Sequence, residues 1–496
     1  MLFNEQAFLF YFLPICLSGF WVLRSKVRCT NISYFWCLLC SFFFYGFHGW
    51  YHLPLLTCSI LTNYFLGVII EKKKDSRLCL LIMWLGIAVN LGVLGVFKYA
   101  DFFLGVVRAE FFFGLALPLA ISFFTFQQVA YLVDLRRGEI SSPSLLSYAF
   151  FISFFPQLIA GPIVRCQQLI PQIKEKATLG LRREDFWCGL CLFAMGLFKK
   201  TYFADGVRPL AEGIFDAAHE GTILSFTEAW IGGLSFGMQI YFDFSAYSDM
   251  AIGLGLLFGL SLPVNFNSPY KATSLIDFWR RWHITLSEFL RDYLYKPLGG
   301  NRSGVSRGII NVLLVMALGG LWHGAAWTFV VWGVFHGILI GFNHLLRATG
   351  NKVPSPKSRF LAWPSRLTVF LVVTISWIYF RCQDLPTAWE MISSMIGMNG
   401  FDLPRSFGLD ANLSYVRFEG LLPNRITELH LVPVLGFLIL FVWFAPNSFN
   451  LLNYNSDESK RTQPSLLVVF ICGILLFFGI KASFEQITHE FIYFRF

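Results

Sequence analysis

Apolar runs of about 17 to 25 residues recur in this chain from Leu9 to its last turns, each long enough to cross a ~30 Å hydrocarbon core as a helix. That single feature makes the chain an all-α integral membrane protein. Composition agrees: 56% of residues are hydrophobic and only 14% charged, where soluble proteins carry about 25% charge. Nothing of comparable size remains for a soluble domain, so residues 1–496 read as one polytopic domain. A cytosolic enzyme, a secreted disulfide scaffold and a disordered chain are excluded. A transporter, a channel and an intramembrane enzyme stay open.

The net charge of +9 would suggest nucleic acid in a soluble protein, but here the Lys and Arg residues fall in short loops between apolar runs. The positive-inside rule accounts for them, and no nucleic-acid partner is expected; membrane lipid is. The 11 cysteines lie mostly inside apolar segments, where cysteine behaves as a small hydrophobe. Cys37 with Cys40 and Cys188 with Cys191 have CxxC spacing but lack the polar loops of zinc knuckles, so no metal site is expected. The first apolar run has neither a basic n-region nor a small-residue cleavage site and reads as an uncleaved span.

Spans are expected near 7–23, 33–49, 53–70, 78–97, 111–133, 186–203, 224–262 (two), 308–346 (two), 365–380, 430–446 and 464–484, about 11 to 13 membrane segments in all. With Arg24, Lys26 and Arg28 cytoplasmic, the chain returns to that side at 71–77 and again at Leu135–Arg137. The rule then breaks. The run 145–163 is apolar enough to cross, yet basic residues from Arg165 to Arg183 follow it. A re-entrant segment repairs this, and Pro156, Gly161 and Pro162 in FFPQLIAGPIVR interrupt a spanning helix. The same conflict returns at 224–302, where two passes would leave Arg280, Arg281, Arg291 and Lys296 outside. The stretches 204–222 and 381–429 lean acidic and are expected outside.

Three stretches carry residues suited to chemistry. In 268–300, projection of 278–295 at 100° per residue gathers Phe278, Trp279, Trp282, Leu286 and Phe289 on one arc and the charged residues on the other. This predicts an amphipathic helix lying in the membrane interface, with His283 at the border of its faces. Arg280 and Arg281 beside it suit a phosphorylated donor. Further on, His323, His336 and His344 sit in one apolar run of about 36 residues, and ionisable groups at membrane depth are functional candidates by default. Gly319, Gly320 and Gly324 predict a break between two spans close to His323. For His336 and His344, helix-to-helix hydrogen bonding is the plainer account, and the alternative for His336 is a polar group of a tunnel. Finally, Asp243 and Asp249 interrupt an apolar stretch and need partners: either they pin a broken helix through Ser245, Ser248, Lys199 or Lys200, or they relay protons as polar groups of a tunnel. Walker, HExxH and GxSxG patterns are absent.

These stretches, together with LPLAISFFTFQQVAYLVDLRRGEI (117–140) and FFPQLIAGPIVR (154–165), resemble the membrane-bound O-acyltransferase family, and within it the bacterial polysaccharide O-acetylation branch. The resemblance implies a ring of helices with a thin centre, a central tunnel faced by a catalytic histidine, and a location in the bacterial inner membrane. It also implies an acyl thioester donor, acetyl-CoA above all, used as a substrate with no permanently bound cofactor. A periplasmic SGNH-type acetyltransferase partner would finish the modification of a polysaccharide such as alginate or cell-wall glycan. On this resemblance His323 in LWHG corresponds to the essential histidine and His283 in FWRRWHITL to the second one. His323 would act as general base on an acceptor hydroxyl. Asn265, Asn267 and Trp322 are the candidates for holding the donor and its developing oxyanion. D-alanyl transfer to teichoic acid and lipid-linked glycan transport are the competing expectations.

Overall fold

Apolar runs become helices in the computed structural model, which describes residues 1–27, 30–47, 49–74, 76–107, 114–159, 161–175, 180–348, 362–402, 416–417, 431–454, 457–485 and 491–492. Among the described residues seven helices are long and apolar enough to cross a membrane: Ala7–Ser25, Trp50–Lys72, Arg77–Val106, Val305–His323, Trp327–Leu346, Ala362–Arg381 and Leu466–Glu485. Asn31–Gly46 and Val432–Phe444 are shorter apolar helices. Strand among the described residues is confined to a two-residue parallel pairing of Phe401–Asp402 with Val416–Arg417. Apart from the helix Leu385–Met395, most of the expected exterior loop 381–429 lies outside the described residues.

The difference from the expected 11 to 13 segments has physical causes. The runs at 111–133 and 186–203 yield the helices Ile121–Arg137 and Arg183–Phe198, which bury most of their residues, including Gln127, Gln128, Asp134 and Asp185. Such helices face protein rather than lipid, and their polar content lowers the hydropathy signal. The run at 145–163 is interrupted as its prolines require. Leu145–Ser153 ends at Phe154, and Phe155–Leu158 starts afresh with Pro156 in its first turn, where a missing N–H costs nothing. The run at 224–262, expected as two spans, is one 32-residue helix, Phe226–Leu257, about 48 Å long at 1.5 Å per residue.

The amphipathic helix expected over 278–295 is corrected. The chain makes short helices at Pro269–Lys271, Leu275–Trp279 and Ile284–Leu290 and a π-helical turn at Arg291–Tyr295. The break falls at His283, whose φ of +43° is left-handed and unusual for a residue with a Cβ. Periodicity placed the apolar residues correctly on average but could not register a reversal of one backbone dihedral.

The chain folds as two compact units, 1–198 with 245–265 and 448–495, and 199–244 with 266–447. In the first, Phe3, Phe8, Phe12, Phe44 and Phe155 interlock with ring centroids 5.0 to 6.5 Å apart. Asn63 and Asn90 exchange side-chain amide hydrogen bonds at 3.1 and 2.7 Å across two helices, the kind of polar clasp that holds helices together in lipid. Buried Arg461 ion-pairs with buried Asp185 at 2.7 Å and donates to Ser261 Oγ at 2.8 Å. In the second, the helices Val305–His323 and Trp327–Ala348 form a tight hairpin. A Cβ at Gly320 would strike the carbonyl of Phe329, and one at Gly333 the carbonyl of Met316. Backbone-to-backbone approach of this kind is available only to glycine.

Candidate active site

The glycines around LWH have the effect expected from the sequence. The Val305–His323 helix runs to His323 and stops; Gly324 continues in extended conformation, and the next helix begins at Trp327. His323 is therefore the last helical residue of a close-packed hairpin, and it is 3% exposed. Its ring lies 5.2 Å from Trp332 and 5.2 Å from Phe380, both edge-on, and 5.0 Å from Trp322. Trp332 comes from the partner helix of the hairpin and Phe380 from Ala362–Arg381, so three helices fix one imidazole.

His283 is fully buried at the N-terminal edge of Ile284–Leu290. Its ring is 4.7 Å from Phe244, 6.4 Å from Phe266 and 6.3 Å from Trp322. Trp322 is thus in ring contact with both histidines. The left-handed backbone at His283 is maintained by its surroundings: Asn267 N–H donates to Arg281 C=O at 2.9 Å, and Arg281 Nε donates to Asp277 at 2.8 Å. Asp277 in turn accepts from the Thr273 N–H, and Ser274 caps the Asp277 N–H. Tyr270 anchors the segment, donating to Gly237 C=O at 2.6 Å while accepting from Trp377 Nε1 at 3.2 Å.

His336 differs from these two. Trp279 Nε1–H donates to its Nδ1 at 3.4 Å, which assigns the ring proton to Nε2, and Nε2 lies 3.0 Å from Ser376 Oγ. Ser376 passes its own proton to the Val373 carbonyl at 2.7 Å. Both nitrogens of a neutral imidazole are engaged, so His336 binds three segments together. The sequence left His336 open between helix-to-helix hydrogen bonding and a polar group of a tunnel, and the engagement of both ring nitrogens favours the first.

The remaining candidates are distributed as follows. Arg280 is exposed, and Arg281 is half-buried and tied to Asp277 and to the Asn267 carbonyl. Asn267 is exposed and its side-chain oxygen accepts from Asn447 at 2.9 Å. Asn265 belongs to the first unit, where it donates to Ser248 Oγ at 3.2 Å. Asp249, in the same unit, accepts from Ser448. Asp243 belongs to the second unit and pairs with Lys200 at 2.9 Å, and Asp205 pairs with the same ammonium at 2.7 Å, all three groups buried.

The sequence does not single out Trp332, Ser376 or Phe380, and it places Trp279 only on the apolar arc; Thr328, Trp332 and His336 do recur at i, i+4, but such a stripe does not by itself tell core from site. Trp279 also walls a cavity of about 280 Å³, with Leu290 and Met316 in its apolar part and Arg291, Tyr295 and His344 among its polar lining.

The chain as a whole has known relatives. Residues 14–382 match the profile of the membrane-bound O-acyltransferase family. The chain is 39% identical to a peptidoglycan O-acetyltransferase of Helicobacter pylori, over 100% of this chain and 98% of that protein. It is 38% identical to the "probable alginate O-acetylase AlgI" of Azotobacter vinelandii, over 81% of this chain and 79% of that one. A teichoic acid D-alanyltransferase of Bacillus subtilis is 28% identical over 45% of this chain and 58% of its own length. The expected resemblance is borne out: the chain belongs to the membrane-bound O-acyltransferase family and is an integral membrane O-acyltransferase.

Proposed function

We propose that this protein moves an acetyl group from a cytoplasmic thioester, acetyl-CoA, across the bacterial inner membrane for O-acetylation of an extracytoplasmic polysaccharide, with cell-wall peptidoglycan the first acceptor to test. The observation that carries this reading is the end-to-end similarity to a peptidoglycan O-acetyltransferase, with His323 held at a helix end by three elements. The alginate-type relatives cover less of the chain and are slightly less identical. The D-alanyl relatives match only about half of it, which favours acetyl over D-alanyl transfer.

In this mechanism neutral His323 takes the proton of an acceptor hydroxyl as its oxygen attacks the thioester carbonyl carbon. The C–S bond breaks, CoA leaves as thiolate, and the imidazolium returns the proton to sulfur. Enclosure among Trp322, Trp332 and Phe380 keeps bulk water from competing for the acyl group. His283, sharing Trp322 with His323, orients the reacting groups. The donor's arm lies in the cavity walled by Trp279, in preference to Arg281, whose guanidinium already holds its own turn. A periplasmic SGNH-type partner completes delivery to the glycan.

The test uses membrane vesicles carrying the chain with its periplasmic partner, supplied on the cytoplasmic face with radiolabelled acetyl-CoA or with a radiolabelled D-alanyl carrier protein. The reading expects acetyl label on muropeptides or on the partner and none from D-alanine. Label from D-alanine alone, or no loss of thioester, would refute it.

A further inference from the structure

Tryptophans crowd the space around His323 and His336, and the indole N–H groups of three of them have different fates. Trp279 donates to His336 Nδ1, and Trp377 donates to the Tyr270 hydroxyl. Trp332 Nε1 is buried and, among the described residues, has no acceptor. Trp332 is 1% exposed, with its ring 5.2 Å from His323 at 88° and 5.1 Å from Phe380. One turn earlier on the same helix face, the hydroxyl of Thr328 is likewise buried and unmatched among the described residues. Leaving a donor buried without an acceptor costs about 1–3 kcal/mol, so an orphan next to a candidate general base calls for a reason.

We propose that Trp332 Nε1–H is the catalytic hydrogen-bond donor to the thioester carbonyl oxygen during acyl transfer, a donor that waits unmatched until substrate arrives. The inference rests on the reading of His323 as the base for attack on a thioester. As the acceptor oxygen bonds to the carbonyl carbon, the C=O π electrons move onto oxygen, and the indole N–H stabilises that charge. When the oxyanion collapses, the C–S bond breaks and the hydrogen bond weakens again. A preorganised donor strengthens its interaction where charge develops, which is the source of rate. Of the three groups that the sequence offered, Asn267 is exposed and bonded to Asn447, and Asn265 is bonded to Ser248, which leaves Trp322, in ring contact with both histidines, as the competing indole donor. A purely structural alternative exists, an N–H pointing at the face of a neighbouring ring.

Two measurements separate these cases. Replacing Trp332 by 3-benzothienylalanine swaps the N–H for sulfur inside the same ring outline, and Trp332→Phe removes it together with part of the ring. The proposal expects both variants to lose ~10²–10³ in kcat with little change in KM, as removal of one oxyanion donor does, and expects the benzothienyl variant to keep wild-type thermal stability while Trp332→Phe also pays for the cavity it leaves. The structural alternative expects unchanged kcat for the benzothienyl variant. The second measurement follows indole ¹⁵N–¹H resonances on adding a ketone analogue of acetyl-CoA in which CH₂ replaces sulfur. The Trp332 resonance, identified by its absence in Trp332→Phe, should move downfield. A resonance that stays in place while the analogue binds, or a benzothienyl variant as fast as wild type, overturns the proposal. If wild type turns over and His323→Ala is equally active, the base assignment fails, while the Trp332 result still decides the donor. If wild type neither transfers acetyl nor binds the analogue, both fall together.

Discussion

Substitution of His336 by Phe is the perturbation that most sharply separates a structural from a chemical histidine. The imidazole accepts one hydrogen bond from Trp279 and lies 3.0 Å from Ser376 Oγ, and its ring stacks on Phe278 at 6.3 Å and 11°. A phenyl ring keeps the stack and roughly the volume. Ser376 retains its bond to the Val373 carbonyl, so the one group left orphaned is the Trp279 N–H. Stability should therefore fall by about 1–3 kcal/mol, the cost of one buried unmatched donor. Transfer by the molecules that remain folded should stay within about tenfold of wild type, since no group that exchanges protons with substrate has been lost. Equilibrium unfolding in mixed micelles reads the first quantity, and single-turnover release of CoA from acetyl-CoA reads the second. A loss of ~10² or more in turnover at unchanged stability would refute the reasoning and make His336 a proton carrier.

Other consequences follow from the same structure. Gly333→Ala sets a methyl group against the Met316 carbonyl, so it should destabilise the hairpin by about 1–3 kcal/mol and reduce turnover by shifting His323; a fully active, equally stable variant would contradict the close packing. Arg461→Ala leaves Asp185 buried without its guanidinium and should cost about 3–5 kcal/mol of stability, as read by detergent unfolding; a variant as stable as wild type would contradict the buried pair. Arg280, exposed and three residues before His283, should affect donor capture alone: Arg280→Gln is expected to raise the apparent KM for acetyl-CoA at unchanged kcat, and an unchanged KM removes its donor role.

The features legible in the sequence were those carried by local chemistry. Glycines around LWH announced a helix end at His323, and the prolines of FFPQLIAGP announced an interruption, because each acts on its own backbone neighbours. His336 could be read as a helix-to-helix link from its setting in an apolar run, although its actual partners, Trp279 and Ser376, are 57 and 40 residues away. Features that depend on distant pairing were out of reach. Nothing near Asp249 points to Ser448, 199 residues on, and nothing near Asp185 points to Arg461, 276 residues on. The segment 278–295 misled for a different reason. Its apolar residues fit a helical period, yet a left-handed His283 divides it, and periodicity reports an average over many residues while a break needs only one. Trp332 was hidden because an aromatic residue in an apolar run looks the same whether it faces lipid or a reacting group.

Acyl transfer by the proposed mechanism depends on His323 acting as the base. The direct test compares wild type, His323→Ala and His323→Gln in single-turnover transfer from acetyl-CoA across a range of pH, with folding verified in parallel. With His323 as the base, the mechanism predicts that both variants lose at least ~10² in rate while remaining folded. It also predicts that the wild-type rate falls tenfold per unit below the pKa of one group as the imidazole takes up a proton, and that this limb vanishes in the variants. Near-normal turnover in His323→Ala, or the same acid limb in its residual rate, would contradict it.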